Sequence, residues 1–402
     1  MGFQQGLSGL NAASKSLDVI GNNVANANTV GFKESQAQFA DVYANSLTGA
    51  GASQVGIGTK VAQVAQQFSQ GNITASSNPL DVAINGGGFF RMSNNGTIAY
   101  ARNGQFQLDK AGYIVNATGS RLTGYGVNAS GVLATGAPTD LNINTADLTP
   151  NTTTKVKALL NLDSGSTVPV TTPFNMADPA TYNNSTAVSV YDSLGNAHTL
   201  QTFYVKTGAG AWNVYASTDG GAASLISPLN FNSSGALTTA MPLTVPVAVT
   251  TGATTPFNVA LDYTGTTQYG SSFSVNALKQ DGYTSGRLSG FNISADGTII
   301  GRYTNGQSAT LGQVVLANFT DPNGLQPLGN NLWSETATSG PALVGTPNSG
   351  SLGVLQSSAV EDSNVDLTAE LVNMITAQRT YQANAQTIKT QDQVLQTLVN
   401  LR

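Results

Sequence analysis

The sequence predicts a multidomain chain: α-helical, coiled-coil-like termini that belong together, with two mainly-β domains between them, one nested in the other by insertion. Three observations predict it. The last forty or so residues carry apolar side chains at alternating spacings of three and four. The first residues carry the same spacing. The long interior shows almost no helical period and is punctuated by Asn-Gly and similar turn signals.

The N-terminal stripe runs Phe3, Leu7, Leu10, Ser14, Leu17, Ile20, Val24 and Ala27, which predicts a helix from residue 3 to about 28. Gly6, Gly9 and Gly21 each weaken it by about 1 kcal/mol relative to Ala. Asn22, Asn23, Asn26 and Asn28 lower propensity near its end, and Gly31 is the stop. Residues 34–72 read as a connector with short strand or helical pieces, including Phe39, Val42 and Tyr43.

From Asn78 short β-type runs alternate with turns. Leu80 to Ile84, Phe89 to Met92, Thr97 to Tyr100 and Tyr113 to Val115 are separated by Asn95-Gly96, Asn103-Gly104 and Thr118-Gly119, the punctuation of β-hairpins. Around Ala187–Tyr191 and Thr199–Val205 two further strands flank the turn Asp192 to Asn196. The Thr/Val/Pro stretch 238–257 resists assignment. After Asp281 a block resembles the first: Asp296-Gly297-Thr298-Ile299 precedes Arg302 and then Asn305-Gly306-Gln307, as Asn95-Gly96-Thr97-Ile98 precedes Arg102 and then Asn103-Gly104-Gln105. Similar blocks on either side of 149–279 imply nesting. The expected domains are 1–72 with 359–402, 73–148 with 280–358, and the insert 149–279.

The C-terminal stripe comprises Leu367, Leu371, Met374, Gln378, Tyr381, Ala385, Ile388, Asp392, Leu395 and Val399, of which eight of ten are apolar. This is the period of a coiled-coil seam. Ser363 or Asn364 is expected to cap the helix, with Glu361 and Asp362 favouring its positive end. Gln378 and Asp392 interrupt the stripe. Either they are exposed at the margin of a broad interface, or they set helix register as a polar core residue does in coiled coils. With little other helix available, the natural partners of the two stripes are each other and copies of each other. Isolated helices are marginal in water, so the ends are expected to be disordered in a lone chain and to fold on assembly.

Composition narrows the function. Of 402 residues 40% are hydrophobic, enough for a sizeable core, but only 9% are charged, against roughly 25% in typical soluble proteins. A polar, nearly uncharged surface lets copies pack without much repulsion, and equally suits an extracellular β-rich binding protein or adhesin. The net charge is -5 and the 16 Lys and Arg form no run, which argues against nucleic-acid binding. No apolar stretch is long enough for a transmembrane helix. The start lacks the basic and apolar regions of a secretory signal, so any export is expected to proceed without a cleaved signal peptide. Cysteine is absent, which leaves no disulfide to obstruct passage through a narrow channel.

Catalytic chemistry finds little support. His198 is the single histidine, sits beside a predicted turn and has no GxSxG elbow to serve as base. Zinc needs clustered Cys and His. Asp192, Asp296 and Asp321 occupy turn positions, where backbone reasons explain them, and a glycosidase would need two carboxylates across a cleft. No catalytic, cofactor or metal residue is expected, and no cofactor.

At the two ends the residues become diagnostic. GLSGLNAASKSLDVIGNNVANANTVGFK, Gly6 to Lys33, resembles the signature of bacterial flagellar rod and hook proteins, and Ser363 to Arg402 resembles the matching end of the same axial family. LDVAINGGGFFRM and YARNGQFQLDKAGYIVN are similar to the inner β domain shared by rod and hook. VSVYDSLGNAHTLQTFYV and LGQVVLANFTDPNGLQPLGNNLWSET resemble hook proteins in particular, and the chain exceeds a distal rod protein by roughly one domain.

The resemblance implies a structural subunit of the flagellar hook, a short curved helical tube outside the cell that passes motor torque from rod to filament while bending. It implies partners: copies of itself, the distal rod protein, the hook cap protein, the hook–filament junction protein and the flagellar type III export apparatus. It places the terminal helices in an inner tube. The polymer interface is then expected at Phe3, Leu7, Leu10, Leu17, Ile20, Val24, Leu367, Leu371, Met374, Tyr381, Ala385, Ile388, Leu395 and Val399. A distal rod-type protein and the adhesin remain alternatives at this point.

Overall fold

The computed structural model describes residues 2–42, 56–128 and 131–400. Tyr43 and the rest of 43–55, part of the expected connector, lie outside the described residues. The chain divides into two compact units: Met1–Asn144 with Gly290–Gly301 and Ser308–Arg402, and Thr145–Ser289 with Arg302–Gln307. The helical ends and the flanking β blocks thus share one unit, while most of the second unit is a single continuous stretch.

In the first unit, α1 spans Gly2–Ala25 and α2 spans Leu367–Asn400. The Asn-rich tail ends α1 earlier than its stripe suggests. Asn26 N–H bonds back to the Asn22 carbonyl at 3.1 Å and the chain then turns away at Gly31, whose φ of +73° favours glycine. A side chain there would also meet the backbone of Asn103, 2.5 Å from an added Cβ. The cap of α2 is Asp366, not Ser363 or Asn364: its Oδ1 accepts from the N–H groups of Thr368 at 2.9 Å and Ala369 at 3.1 Å. No described helix is long and apolar enough to cross a membrane.

Within the expected connector, short strand pieces pair antiparallel as a hairpin. β1 (Ser35–Val42) pairs with β2 (Gly58–Gln66), Ser35 opposite Gln66 and Val42 opposite Gly58, with a bulge at Gln38/Phe39. Its Ala- and Gln-rich strands lack a strong apolar face, so alternation is weak in the sequence. Beyond it the chain enters and leaves the β region side by side: Ile73–Ala75 pairs with Ala359–Glu361, and Val82–Asn85 with Val354–Ser357. The Phe89–Asn94 and Thr97–Ala101 strands form the expected hairpin, with Asn95 and Gly96 both at positive φ. Phe89, Tyr100, Phe319, Leu325 and Trp333 make a buried cluster. Phe68, just after β2, packs edge-on against Phe89 and Trp333 at 5.4 and 5.6 Å, and Trp333 Nε1 donates to Gln66 at 2.6 Å. The hairpin is thereby fixed to the β core.

The second unit is two sheets over one core. A four-stranded meander runs Asn184–Tyr191, Ala197–Gly208, Ala211–Thr218 and Ser224–Asn230. The other sheet is built around Lys155–Asp163, which pairs with Phe257–Asp262, Thr267–Tyr269 and Ser274–Gln280. Leu160, Leu162, Tyr204, Trp212, Val214, Val247, Val259 and Tyr263 fill the space between. The unassigned stretch holds the strand Leu243–Val247, with Leu243, Val245 and Val247 buried in alternation. It lies at the end of the strand order, where Pro246 is tolerated.

Candidate functional site: the terminal helix pair and its anchor

α1 and α2 pack against each other antiparallel. Gly6 faces Ile388, and an added Cβ would lie 3.0 Å from its side chain. Gly9 faces Asn384, where an added Cβ would approach the side-chain amide to 2.7 Å. At the far end Asn23 is buried: its Nδ2 donates to Ser35 O at 2.8 Å and lies 3.4 Å from the Glu370 carboxylate, while its Oδ1 accepts from Ser35 N at 2.9 Å. The α1 row facing its partner is therefore Gly6, Gly9, Ala13, Ile20 and Asn23. These are mostly short side chains that let the helix backbones approach.

The two stripes are thus each other's partner within one chain, as expected, whereas helices formed in the single chain stand against the expectation of ends disordered until assembly. The two stripes do meet as helices, but through a neighbouring row. Phe3 and Leu7 are 47% and 45% exposed, and Leu367 and Leu371 are 45% and 46% exposed. Tyr381, Leu395 and Val399 are exposed as well. Leu10, Leu17, Val24, Met374, Ala385 and Ile388 are half-buried, and Ile20 alone of the fourteen is buried. Gln378 and Asp392 are exposed, Asp392 accepting from Gln396 Nε2 at 3.1 Å. Large residues dominate a search by hydropathy, whereas glycine and alanine at the same spacing carry no such signal.

The base of the pair is held by a buried ionic node. Lys33 Nζ contacts Glu361 Oε1 at 2.7 Å, and Arg102 Nε stands 3.5 Å from Glu361 Oε2, all three side chains being almost wholly buried. Lys33 also donates to Ser69 O at 2.7 Å, and Gly71 N donates to Glu361 Oε1 at 3.0 Å. Arg102 donates to the Gly88 and Gly86 carbonyls at 2.9 and 3.0 Å. Its Nε and Glu361 Oε2 have no hydrogen bond, so that contact is an ion pair alone. Burial pushes the Lys33 ammonium below its usual range; the positive Arg102 adds to this and Glu361 opposes it. Burial likewise lowers Arg102, again opposed by Glu361. Glu361 is therefore no helix-dipole carboxylate but the common counter-charge of two cations.

Asn364, passed over as a cap, bridges the same segments. Its Oδ1 accepts from Glu34 N at 2.7 Å and its Nδ2 donates to Gln67 O at 2.8 Å. Gly31 N donates to Glu361 O at 2.8 Å. Incoming and outgoing arms are thus tied to each other and to Arg102 of the β region. Sequence reasoning missed Lys33, Arg102, Asn23, Glu370 and this role of Glu361 and Asn364. The available signal was rarity: in a chain with 9% charged residues, each charge within an apolar context asks for a partner.

In the second unit His198 is a clasp. Its Nδ1 lies 2.7 Å from Asp219 Oδ2 and its Nε2 3.2 Å from Asp192 Oδ2, which also accepts from Thr251 Oγ1 at 2.6 Å. Burial alone would lower the imidazole; the hydrogen bonds and charges of Asp219 and Asp192 outweigh it and raise it. Both ring nitrogens are engaged by carboxylates, and the arrangement ties the turn Asp192 to Asn196 to neighbouring segments.

Comparison with known families identifies the paired helical ends on their β body as those of an axial flagellar protein. Residues 3–33 match the model "Flagella basal body rod protein" and 356–401 match "Flagellar basal body rod FlgEFG protein C-terminal". Residues 83–157 match "Flagellar hook protein FlgE/F/G D1 domain", and 161–283 match "Flagellar basal body protein FlaE D2 domain". Along their full lengths, the chain is 45% identical to the flagellar hook protein FlgE of Escherichia coli K12 and 45% identical to that of Salmonella typhimurium LT2. It is 33% identical to the flagellar hook protein FlgE of Borreliella burgdorferi, covering 99% of this chain and 98% of that one. The crystal structure of Helicobacter pylori flagellar hook protein FlgE2 shares the fold, with a TM-score of 0.55 at 13% identity, covering 72% of this chain and 100% of that one. The chain belongs to the flagellar hook protein family and is a structural component of the bacterial flagellum.

Proposed function

We propose that the chain polymerises through its terminal helices into a short curved tube outside the cell, which passes motor torque from the distal rod protein to the filament while bending. The observation that carries this reading is the exposed apolar row of the helix pair. Phe3, Leu7, Leu367 and Leu371 stay near half exposed in a lone chain although their helices are formed and anchored. Full burial of such side chains contributes roughly 1.5–3 kcal/mol each, a gain open only to assembled copies. Leu10, Leu17, Val24, Met374, Tyr381, Ala385, Ile388, Leu395 and Val399 complete the proposed interface, whereas Ile20, expected there, is already buried within the chain.

The same reading assigns the hook cap protein to the growing end, the hook–filament junction protein beyond it, and delivery of the subunit by the flagellar type III apparatus without a cleaved signal peptide. Absence of cysteine fits passage of an unfolded chain. The sparsely charged second unit supplies contacts that slide as the tube bends. Electron microscopy of concentrated purified protein is the test: tubes are expected, and discrete particles would refute the reading. Deleting 149–279 should leave tubes of altered curvature, and loss of all assembly would contradict the division of labour. Gln378 and Asp392 set register only if Gln378→Leu fails to form ordinary tubes.

A further inference from the structure

Asn-Gly steps occur in the chain at Asn85, Asn95, Asn103, Asn305 and Asn323. Such a step is chemically weak. The backbone nitrogen that follows Asn can attack the side-chain amide carbon and close a five-membered imide ring. Glycine has no Cβ, which leaves that nitrogen uncrowded and the backbone free to turn. Whether a given step reacts then depends on what holds the two groups apart.

Four of these steps are held. Gly86 N donates to Gln70 Oε1 at 3.0 Å, and Asn85 Oδ1 accepts from Gln70 Nε2 at 3.4 Å. Asn103 Oδ1 accepts from Gln105 N at 2.9 Å, and the buried Gly104 accepts from Val82 N at 2.9 Å through its carbonyl. Gly306 N donates to Tyr303 O at 3.0 Å. The Asn305 amide is bonded at both ends, Nδ2 to Thr284 O at 2.8 Å and Oδ1 from Gln307 N at 3.0 Å. Gly324 N donates to Asp321 O at 3.1 Å and is backed by Ser339 N, 2.5 Å from an added Cβ. Asn95-Gly96 differs. These two residues form the loop of the Phe89–Asn94/Thr97–Ala101 hairpin, both at positive φ and both exposed. Neither the Asn95 side chain nor Gly96 N–H has a hydrogen-bond partner among the described residues, and nothing lies within 4 Å of a Cβ added at Gly96. The peptide between them can therefore swing without meeting the body of the protein.

We propose that Asn95 is a site of spontaneous deamidation, selected from the Asn-Gly steps by the fold. Gly96 N gives up its proton to hydroxide and attacks Asn95 Cγ. A new C–N bond forms, the Cγ–Nδ2 bond breaks, and ammonia leaves with a proton taken from solvent. Water then opens the imide at either carbonyl. One opening leaves aspartate at position 95. The other routes the main chain through Cγ and leaves isoaspartate. One water is consumed, one ammonia is released and no electron is transferred. Either product sets a carboxylate on the hairpin tip. Isoaspartate also adds a methylene to the main chain of a two-residue turn, a loop whose length fixes the pairing of its strands. The reaction needs no second copy and stands whether or not the chain polymerises.

The folded full-length chain is incubated in mildly alkaline buffer made with heavy-oxygen water and mapped over time by peptide mass spectrometry. Asn95 should lose its amide roughly five- to tenfold faster than the other Asn-Gly steps, the factor that one ordinary hydrogen bond is worth. The new carboxyl should carry one heavy oxygen, and both aspartate and isoaspartate products should separate by chromatography. In denaturant the lead should vanish, because every step is then free. Asn95→Gln should remove the leading product and leave the slower ones unchanged. Another Asn-Gly step leading in the folded chain would overturn the proposal, as would an equal lead of Asn95 in denaturant, which would place the selection in local sequence rather than in the fold. An Asn95 amide still intact after the others have reacted would overturn the site itself.

Discussion

The helix pair and the Thr145–Ser289 unit draw on the same polar, weakly charged vocabulary and spend their large apolar residues in opposite ways. In the β unit Tyr204, Trp212 and Tyr263 are wholly buried and share one core with the aliphatic residues of both sheets. In the helix pair the seam is made of Gly6, Gly9 and Ala13, and Phe3, Leu7 and Leu371 are left outside. A region whose large side chains face inward is finished by its own folding. A region whose small side chains face inward is finished only by a neighbour. The difference separates self-sufficient modules from surfaces that wait for assembly.

Four measurements would break or sharpen that contrast, ordered by their effect on a lone chain. Glu361→Gln removes the shared counter-charge of Lys33 and Arg102 and leaves buried cations without it. The unfolding transition of the first unit should lose about 3–5 kcal/mol, with hydrogen exchange speeding at the base of both helices and the second unit unmoved. A loss under 1 kcal/mol, on the order of an exposed pair, would show that the node is not the anchor. Trp212→Ala should cost about 3–5 kcal/mol in the other unit, read by denaturant unfolding, while tubes still form at low temperature. Tubes failing with that unit alone unfolded would break the separation.

The third is a pH dependence confined to the β unit. The folded-state pKa of His198 lies above its ordinary value of 6.5 because Asp219 and Asp192 bond the ring against the opposing effect of burial. Raised in the folded state, it contributes stability that is fully present below 6.5 and is lost as pH rises through the folded value. The denaturant midpoint should fall over that window, and His198→Asn should flatten it. As the chain has one histidine, a single ring signal in NMR reports the titration, and a signal titrating below 6.5 would refute the clasp. The smallest effect on the lone chain belongs to Leu371→Ser. At an exposed position the expected change in stability is within about 0.5 kcal/mol, yet assembly should weaken strongly. A large loss of monomer stability would mean that Leu371 already serves the folded subunit.

Much of the architecture was legible because it repeats with a period. Terminal helices appeared in spacings of three and four, and the Asn184–Tyr191/Ala197–Gly208 hairpin in its alternation and its Asp192 to Asn196 turn. Asn95-Gly96 marked a hairpin tip that the structure reproduces. The hairpin β1–β2 was not legible, because Gln and Ala on both faces blur a period of two. Leu243–Val247 was obscured by Pro246, a residue acceptable there only because the strand lies at the end of its sheet order. The cap of α2 was misplaced because Ser363, Asn364 and Asp366 are all competent, and Asn364 is engaged with Glu34 and Gln67 instead.

The sequence by itself determined the class of the ends, the β character of the interior and the membership of an axial flagellar family, since each is written in local periods and long contiguous motifs. Only the tertiary structure decided which face of each helix turns inward, and that Lys33, Arg102 and Glu361 meet. The reason is physical. Apolar periodicity says that a helix has a face to bury but not against what. Glycines that permit close approach have no hydropathy of their own. A buried charge finds its partner through the fold, here 328 residues away along the chain.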